Sequence, residues 1–99
     1  MRPIHTASLD KRRPVVILTR ELVRPFLTTV TVAPITTSVR GLSTEIGVGI
    51  ANGLERESVI NCDNIQTIPV EALGRQLGFL LPHQESELSA AIAAAFDLD

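Results

Sequence analysis

Residues 28–35 read TTVTVAPI, a run rich in β-branched side chains in which apolar and polar positions alternate. That period of two is the mark of a half-buried β-strand and not of a helix. The same pattern supports a strand at Val15–Thr19 (VVILT), and Arg24-Pro25 breaks the chain between the two. Beyond the Gly41 turn, Glu45–Ile50 (EIGVGI) reads as a further strand, and Asn52-Gly53 marks the next connection. Ser58–Asn61 (SVIN) and Ile65–Ile68 (IQTI) follow as short strands, and Pro69 ends that run. The spacing predicts one or two helical turns over residues 70–76 and a last short strand over 78–81.

The chain closes on a helix. Leu88, Ala91, Ile92, Ala95 and Phe96 recur at the spacing of one helical face. Pro82 suits the first turn, and Glu85 and Glu87 lie near the positive end of the helix dipole. Short strands followed by a terminal amphipathic helix predict a mainly β fold, a curled antiparallel sheet or open barrel with the helix covering one side.

With 99 residues, 44% of them hydrophobic and 20% charged, one globular domain spanning 1–99 is expected, small enough that a partner subunit would help bury its apolar faces. No apolar run approaches the roughly 18 residues of a membrane span, and no secretory signal stands at the start. The single cysteine, Cys62, cannot form an internal disulfide, so a soluble, cytoplasmic protein with no membrane partner is expected.

The net charge is −2, yet it is unevenly distributed. Residues 1–40 hold seven Lys and Arg against two acidic residues, whereas the remainder holds two against nine. Exposed charges are screened beyond about 10 Å at ordinary salt, so a local basic face can bind a polyanion whatever the total. A merely solvated surface gives the same pattern.

His5, His83 and Cys62 are too scattered for a zinc pattern, and the carboxylates lack calcium-loop spacing, so neither metal nor cofactor is expected. Cys62 reads as a buried thiol unless the fold brings a histidine to it. There is no glycine-rich phosphate loop. With three Phe and no Trp or Tyr there is no aromatic platform for bases, so any bound RNA must be held by charge and hydrogen bonds.

What remains is Lys11-Arg12-Arg13-Pro14, the strand end Thr36-Thr37-Ser38 with Arg40, and the polar cluster Asn61, Asp63, Asn64, Gln66 and Thr67. Pro14 biases Arg13 toward extended geometry at the mouth of a strand. An Arg and a Thr at neighbouring strand ends can hold a phosphate between a guanidinium fork and a hydroxyl. A surface arginine beside turn-forming threonines is the other reading of the same spacing.

Taken in order, RRPVVILTRE, TVTVAPITTSVRGLSTEIGV and NGLERESVINCDNIQTIPVEAL, with the terminal AIAAAFDL, resemble the MazF (PemK-like) toxins of bacterial toxin–antitoxin modules, and within them mycobacterial members with a short N-terminus. The resemblance spans nearly the whole chain. It implies an SH3-like barrel with a C-terminal helix, a homodimer, a MazE-like antitoxin partner, and metal-independent cleavage of single-stranded RNA to 2′,3′-cyclic phosphate and 5′-hydroxyl ends. Within it, Arg13 takes the place of the family's arginine before proline and Thr36 that of its strand-end threonine, together the catalytic pair. Arg12, Thr37, Ser38, Arg40, Asp63, Asn64, Gln66 and Thr67 become candidate RNA contacts. Thr37, Ser38 and Arg40 read equally as turn formers, and Asp63 as an acceptor of turn amides. Many members carry a long loop with an acidic residue or histidine before the Arg-Pro strand; only Asp10-Lys11-Arg12 stands here, so that loop's proton-transfer roles are not carried over. A CcdB-like gyrase-binding toxin and a catalytically silent antitoxin-binding homologue are the alternatives. CcdB-like proteins rely on an aromatic-containing tail, and this chain ends Phe96-Asp97-Leu98-Asp99 without tryptophan.

Overall fold

In the computed structural model, which describes residues 1–98, the strand read first in the sequence is the hub of the sheet. Seven strands, β1 (Pro3–Ser8), β2 (Arg12–Ile17), β3 (Thr29–Thr36), β4 (Glu45–Val48), β5 (Ser58–Asn61), β6 (Gln66–Pro69) and β7 (Leu73–Phe79), precede one helix, α1 (Pro82–Phe96). The pairing is antiparallel, in the order β4-β5-β3-β2-β1-β7, with β6 also on β3. One edge of β3 takes β2. The other takes β6 along Thr29–Val32 and then β5 at Ile35 and Thr36.

That changeover explains a proline inside a central strand. Thr31 directs its N–H and C=O toward the β2 side, where they meet Thr19 Oγ1 and the Leu18 N–H. By alternation, the missing N–H of Pro34 falls on the opposite edge, between the last β6 pair and the first β5 pair. No ladder bond is lost there, and the sheet curls.

Alternation also gives the sheet two buried faces. Ile4, Val16, Ala33 and Ile35 pack with Ile46, Val48, Ile60, Leu80 and the helix residues Leu88 and Ala91. Ala7, Val15, Ile17, Val30, Val32 and Ile68 form a second cluster on the other face, closed by Leu9, Ala72 and Leu73. Each fully buried Val, Leu or Ile among them contributes roughly 1.5–3 kcal/mol on leaving water. The result is the mainly β, curled antiparallel architecture expected, with α1 over one face.

Three local expectations need correction. Residues 70–76 are not helical beyond a single 3-10 turn at Val70–Ala72; β7 begins at Leu73 and ends at Phe79, short of the predicted 78–81 strand. β1, which the sequence pattern did not reveal, is the reason. It pairs with β7 through two register shifts, and without β7 its outer edge would be bare. Phe96 was expected on the core face of α1 but is 56% exposed; it is the last residue of the helix, which Asp97 caps in a left-handed conformation (φ 53°).

The helix is locked to the sheet by a buried amide pair with no local sequence signature. Gln84 Oε1 accepts from Asn52 Nδ2 (2.6 Å) and from the Leu81 N–H (2.9 Å), which caps α1. Gln84 Nε2 donates to Asn52 Oδ1 and to the Gly47 carbonyl, both at 3.2 Å. Asn52 also holds the Gly49 N–H and the Phe79 carbonyl. Among the described residues, no helix is long and apolar enough to cross a membrane.

Replacing Gln84 by Leu removes the partner of the Leu81 N–H and of the Gly47 carbonyl and two of the bonds to Asn52, so Gln84→Leu is expected to destabilise the fold by about 1–3 kcal/mol in chemical denaturation. Ser89→Ala, on the exposed side of α1, is expected to change stability by less than about 0.5 kcal/mol.

Candidate functional site

The β2–β3 register pairs Val15 with Pro34 and Ile17 with Val32. Carried two residues toward the strand ends, it sets Arg13 opposite Thr36. Directly opposed residues of an antiparallel pair project from the same face, and here that is the face of the second cluster, away from α1. The two side chains open on a groove of about 680 Å³. Leu9, Pro34 and Ile65 supply its apolar lining, and Asp10, Ser38, Arg40, Asn61, Asp63, Asn64 and Gln66 complete it.

Arg13 is held by a carboxylate the sequence reading had set aside. Its Nε donates to Asp10 Oδ1 at 3.0 Å and its Nη2 to Oδ2 at 3.1 Å, a two-pronged pair across the β1–β2 turn. The hydrogen bonds from Arg13 hold the Asp10 carboxyl down at about 2, and Asp10 in turn pushes the Arg13 guanidinium further up. Arg13 thus stands in the groove as an oriented cation and hydrogen-bond donor. The short turn thus brings an acidic group into the groove without a long loop.

Thr36 combines the two roles the sequence left open. Its Oγ1 accepts the Ser38 N–H at 3.1 Å, which is turn chemistry, while the hydroxyl hydrogen remains available to a ligand oxygen. The loop beyond is anchored by Glu45, whose carboxylate accepts the N–H groups of Arg40 (3.1 Å), Gly41 (2.8 Å) and Leu42 (3.2 Å). Gly41, at φ 73°, provides the left-handed turn this requires. Glu45 was not singled out from the sequence, since three converging amides leave no local motif.

Asp63 accepts from Thr44 Oγ1 at 2.7 Å. The turn amide is instead taken by Asn61, whose Oδ1 receives the Asp63 N–H at 2.9 Å, so the capping role considered for Asp63 belongs to Asn61. Asn64 and Gln66 line the groove, whereas Thr67 does not: its Oγ1 lies 2.9 Å from Thr31 Oγ1 on the opposite face of β6. Arg12 and Thr37 also lie outside the main groove, with Lys11 in an adjoining depression of about 310 Å³ that shares Arg13, Thr36 and Ser38. Arg12 and Arg13 are neighbours on a strand and so point to opposite faces; Arg12 donates to Thr6 Oγ1 (3.1 Å) and Ser8 Oγ (3.3 Å).

Cys62 is 1% exposed, and burial first, then the Asp63 charge, pushes its thiol up to about 11. It is a core thiol and not a nucleophile. Among the described residues, no three His, Cys, Asp or Glu side chains come together as metal ligands would.

Comparison with known proteins shows the family and the fold. Residues 2–96 match the family model described as PemK-like, MazF-like toxin of type II toxin-antitoxin system. The chain is 68% identical over 99 residues to endoribonuclease MazF3 of Mycobacterium tuberculosis, covering all of this chain and 96% of that one. Among solved structures it superposes on the Mycobacterium tuberculosis toxin MazF-mt6 with a TM-score of 0.97 at 67% identity, covering 99% of both chains. It also shares the fold of a mycobacterial endoribonuclease solved in complex with its cognate antitoxin, with a TM-score of 0.88 at 24% identity, covering 98% of this chain and 93% of that one.

Because Asp10 falls from its ordinary 3.8 to about 2 on folding, its contribution to stability is present above pH 3.8 and lost as the pH drops through about 2. Carboxyl-detected NMR is expected to show Asp10 titrating near 2 in the wild type and returning toward 3.8 in Arg13→Ala. An unchanged midpoint in that variant would show that Arg13 does not hold the carboxylate.

Proposed function

Since the chain belongs to the PemK-like, MazF-like toxin family of type II toxin-antitoxin systems, we propose that it is a single-domain endoribonuclease, residues 1–99, that cuts single-stranded RNA in the groove holding Arg13 and Thr36. The observation that carries this reading is the opposition of a permanently charged guanidinium and a hydroxyl with a free hydrogen where one sheet face opens on the groove.

The 2′-hydroxyl of one nucleotide gives up its proton to solvent and attacks the adjacent phosphorus, a pentacovalent dianionic state forms, and the 5′-oxygen of the next nucleotide leaves and takes a proton from solvent. The products are a 2′,3′-cyclic phosphate and a 5′-hydroxyl. Arg13 offers two parallel N–H donors to the non-bridging oxygens, so the phosphate takes over the fork that Asp10 occupies in the free protein. Thr36 donates its hydroxyl hydrogen to the same phosphate. As charge grows in the transition state both contacts strengthen, which is where their effect on rate arises. An arginine guanidinium stays protonated far above neutral pH, which favours charge stabilisation over proton abstraction.

Ser38, Arg40, Asn61, Asp63, Asn64 and Gln66 line the strand path on either side and supply base-edge donors and acceptors. Cleavage of mRNA, rRNA or tRNA in the cytoplasm would stop translation and growth. The protein acts as a homodimer, and a MazE-like antitoxin, an acidic segment that folds on binding, competes with RNA for the groove and the basic Lys11-Arg12 saddle beside it.

Purified protein is expected to cut single-stranded RNA in the presence of EDTA and to leave cyclic phosphate termini. Arg13→Ala and Thr36→Ala are each expected to lower kcat/KM by roughly 10²-fold or more while retaining the wild-type melting transition. Full activity in both variants, or inhibition of gyrase with no RNA cleavage, would overturn the assignment.

A further inference from the structure

On the sheet face that carries α1, and around the strand ends from the groove, lies a second cavity of about 300 Å³. Its floor is apolar, formed by Pro14, Leu54 and Leu77. Thr6, Thr37 and Ser58 line its walls with hydroxyls, and Arg56 and Arg75 stand exposed in its lining. The proposed cleavage chemistry does not use it.

Three observations connect it to the groove. First, the depressions are continuous: the groove shares Arg13, Thr36 and Ser38 with the small saddle beside it, and the saddle shares Pro14 and Thr37 with the second cavity. Second, the border is marked by Arg12, which crosses from the saddle to bond Thr6 on the cavity wall. Gly74 makes room for it: a Cβ there would lie 2.7 Å from Arg12 Nη1. Third, the arginines of the cavity and its border form no salt bridge. Among the described residues the salt bridges are Arg2–Glu85 and Arg13–Asp10, so Arg12, Arg56 and Arg75 have no carboxylate partner, and Glu55 is the only acid lining the cavity.

An apolar floor with hydroxyl walls and guanidinium groups at the rim fits one unstacked nucleobase with its flanking phosphates. The volume is at the low end of small-molecule pockets, which run from roughly 300 Å³, and suits a single heterocycle better than a stacked pair. Building on the RNA-cleaving role proposed above, we infer that the substrate strand runs from the Arg13–Thr36 groove across the Arg12 saddle and inserts one flanking nucleobase between Pro14, Leu54 and Leu77. Arg12, Arg56 and Arg75 hold the backbone on that side. Thr37, exposed at the junction, lines both the saddle and the cavity.

The test is methyl NMR on the intact protein with an RNA oligonucleotide carrying the mapped cleavage sequence and a 2′-deoxy sugar at the scissile nucleotide. Binding is expected to shift the methyl signals of Leu54 and Leu77 as well as that of Ile65 in the groove. Making a single flanking nucleotide abasic is expected to abolish the Leu54 and Leu77 shifts and leave that of Ile65. Arg75→Ala is expected to weaken binding roughly tenfold and to lower the slope of log K against log salt by about one. Movement of Ile65 alone would overturn the second subsite while leaving the cleavage assignment intact. Movement of none of the three would reject RNA binding and this inference with it. Movement of Leu54 and Leu77 with an antitoxin peptide but not with RNA would assign the cavity to a protein partner and overturn the proposal.

Discussion

The register between β2 and β3 is the constraint on which the rest of the molecule depends. Slipping an antiparallel pair by one residue sends every side chain to the other face. Here both faces are buried, with Val15, Ile17 and Val32 on one side and Val16 and Ala33 on the other, so a slip would disrupt two cores at once. The opposition of Arg13 and Thr36 is inherited from this packing and needs no contact between their own side chains. Pro34 sits in the same stretch, marks the changeover from β6 to β5, and lines the groove. Curvature, core and site thus derive from a few residues of β3.

Electrostatics then separates the groove from the acidic average of the chain. A net charge of −2 says little about a ligand that meets Arg13 and Arg40 beside Asp10 and Asp63, with Lys11 and Arg12 in the adjoining depression, all within a screening length. The Asp10–Arg13 pair is exposed on the aspartate side, so it adds little to stability. Its consequence is orientation: the guanidinium waits with its fork directed into the groove, already paired with an oxygen anion.

Much of this was legible in the sequence because it is local. Alternation in TTVTVAPI gave β3 nearly to the residue, SVIN is β5, and Pro82 opens the helix. Arg13 and Thr36 were recognisable from their places at two strand ends and from the family order. Most of the failures involve long-range pairing. Residues 70–76 contain good helix formers, and only the unpaired edge of β1 makes 73–79 a strand; β1 itself, PIHTAS, has too few apolar residues to declare its alternation. The Asn52–Gln84 lock joins residues 32 apart in sequence, and Glu45 gathers amides across a turn, so neither leaves a motif. Alternation alone could have separated Arg12 from Arg13 and Thr67 from Gln66, since adjacent strand residues face opposite ways. The value of Asp10 emerged only when the short turn folded it back onto Arg13.

The central claim is that Arg13 and Thr36 act on one phosphate, and a double-mutant cycle on kcat/KM with Arg13→Ala and Thr36→Val tests it most directly. Groups that stabilise the same transition-state charge lose most of their joint effect when either is removed. The double variant is therefore predicted to be far less impaired than the product of the two single losses. Strictly multiplicative losses would show that the two residues act independently and would contradict the shared site.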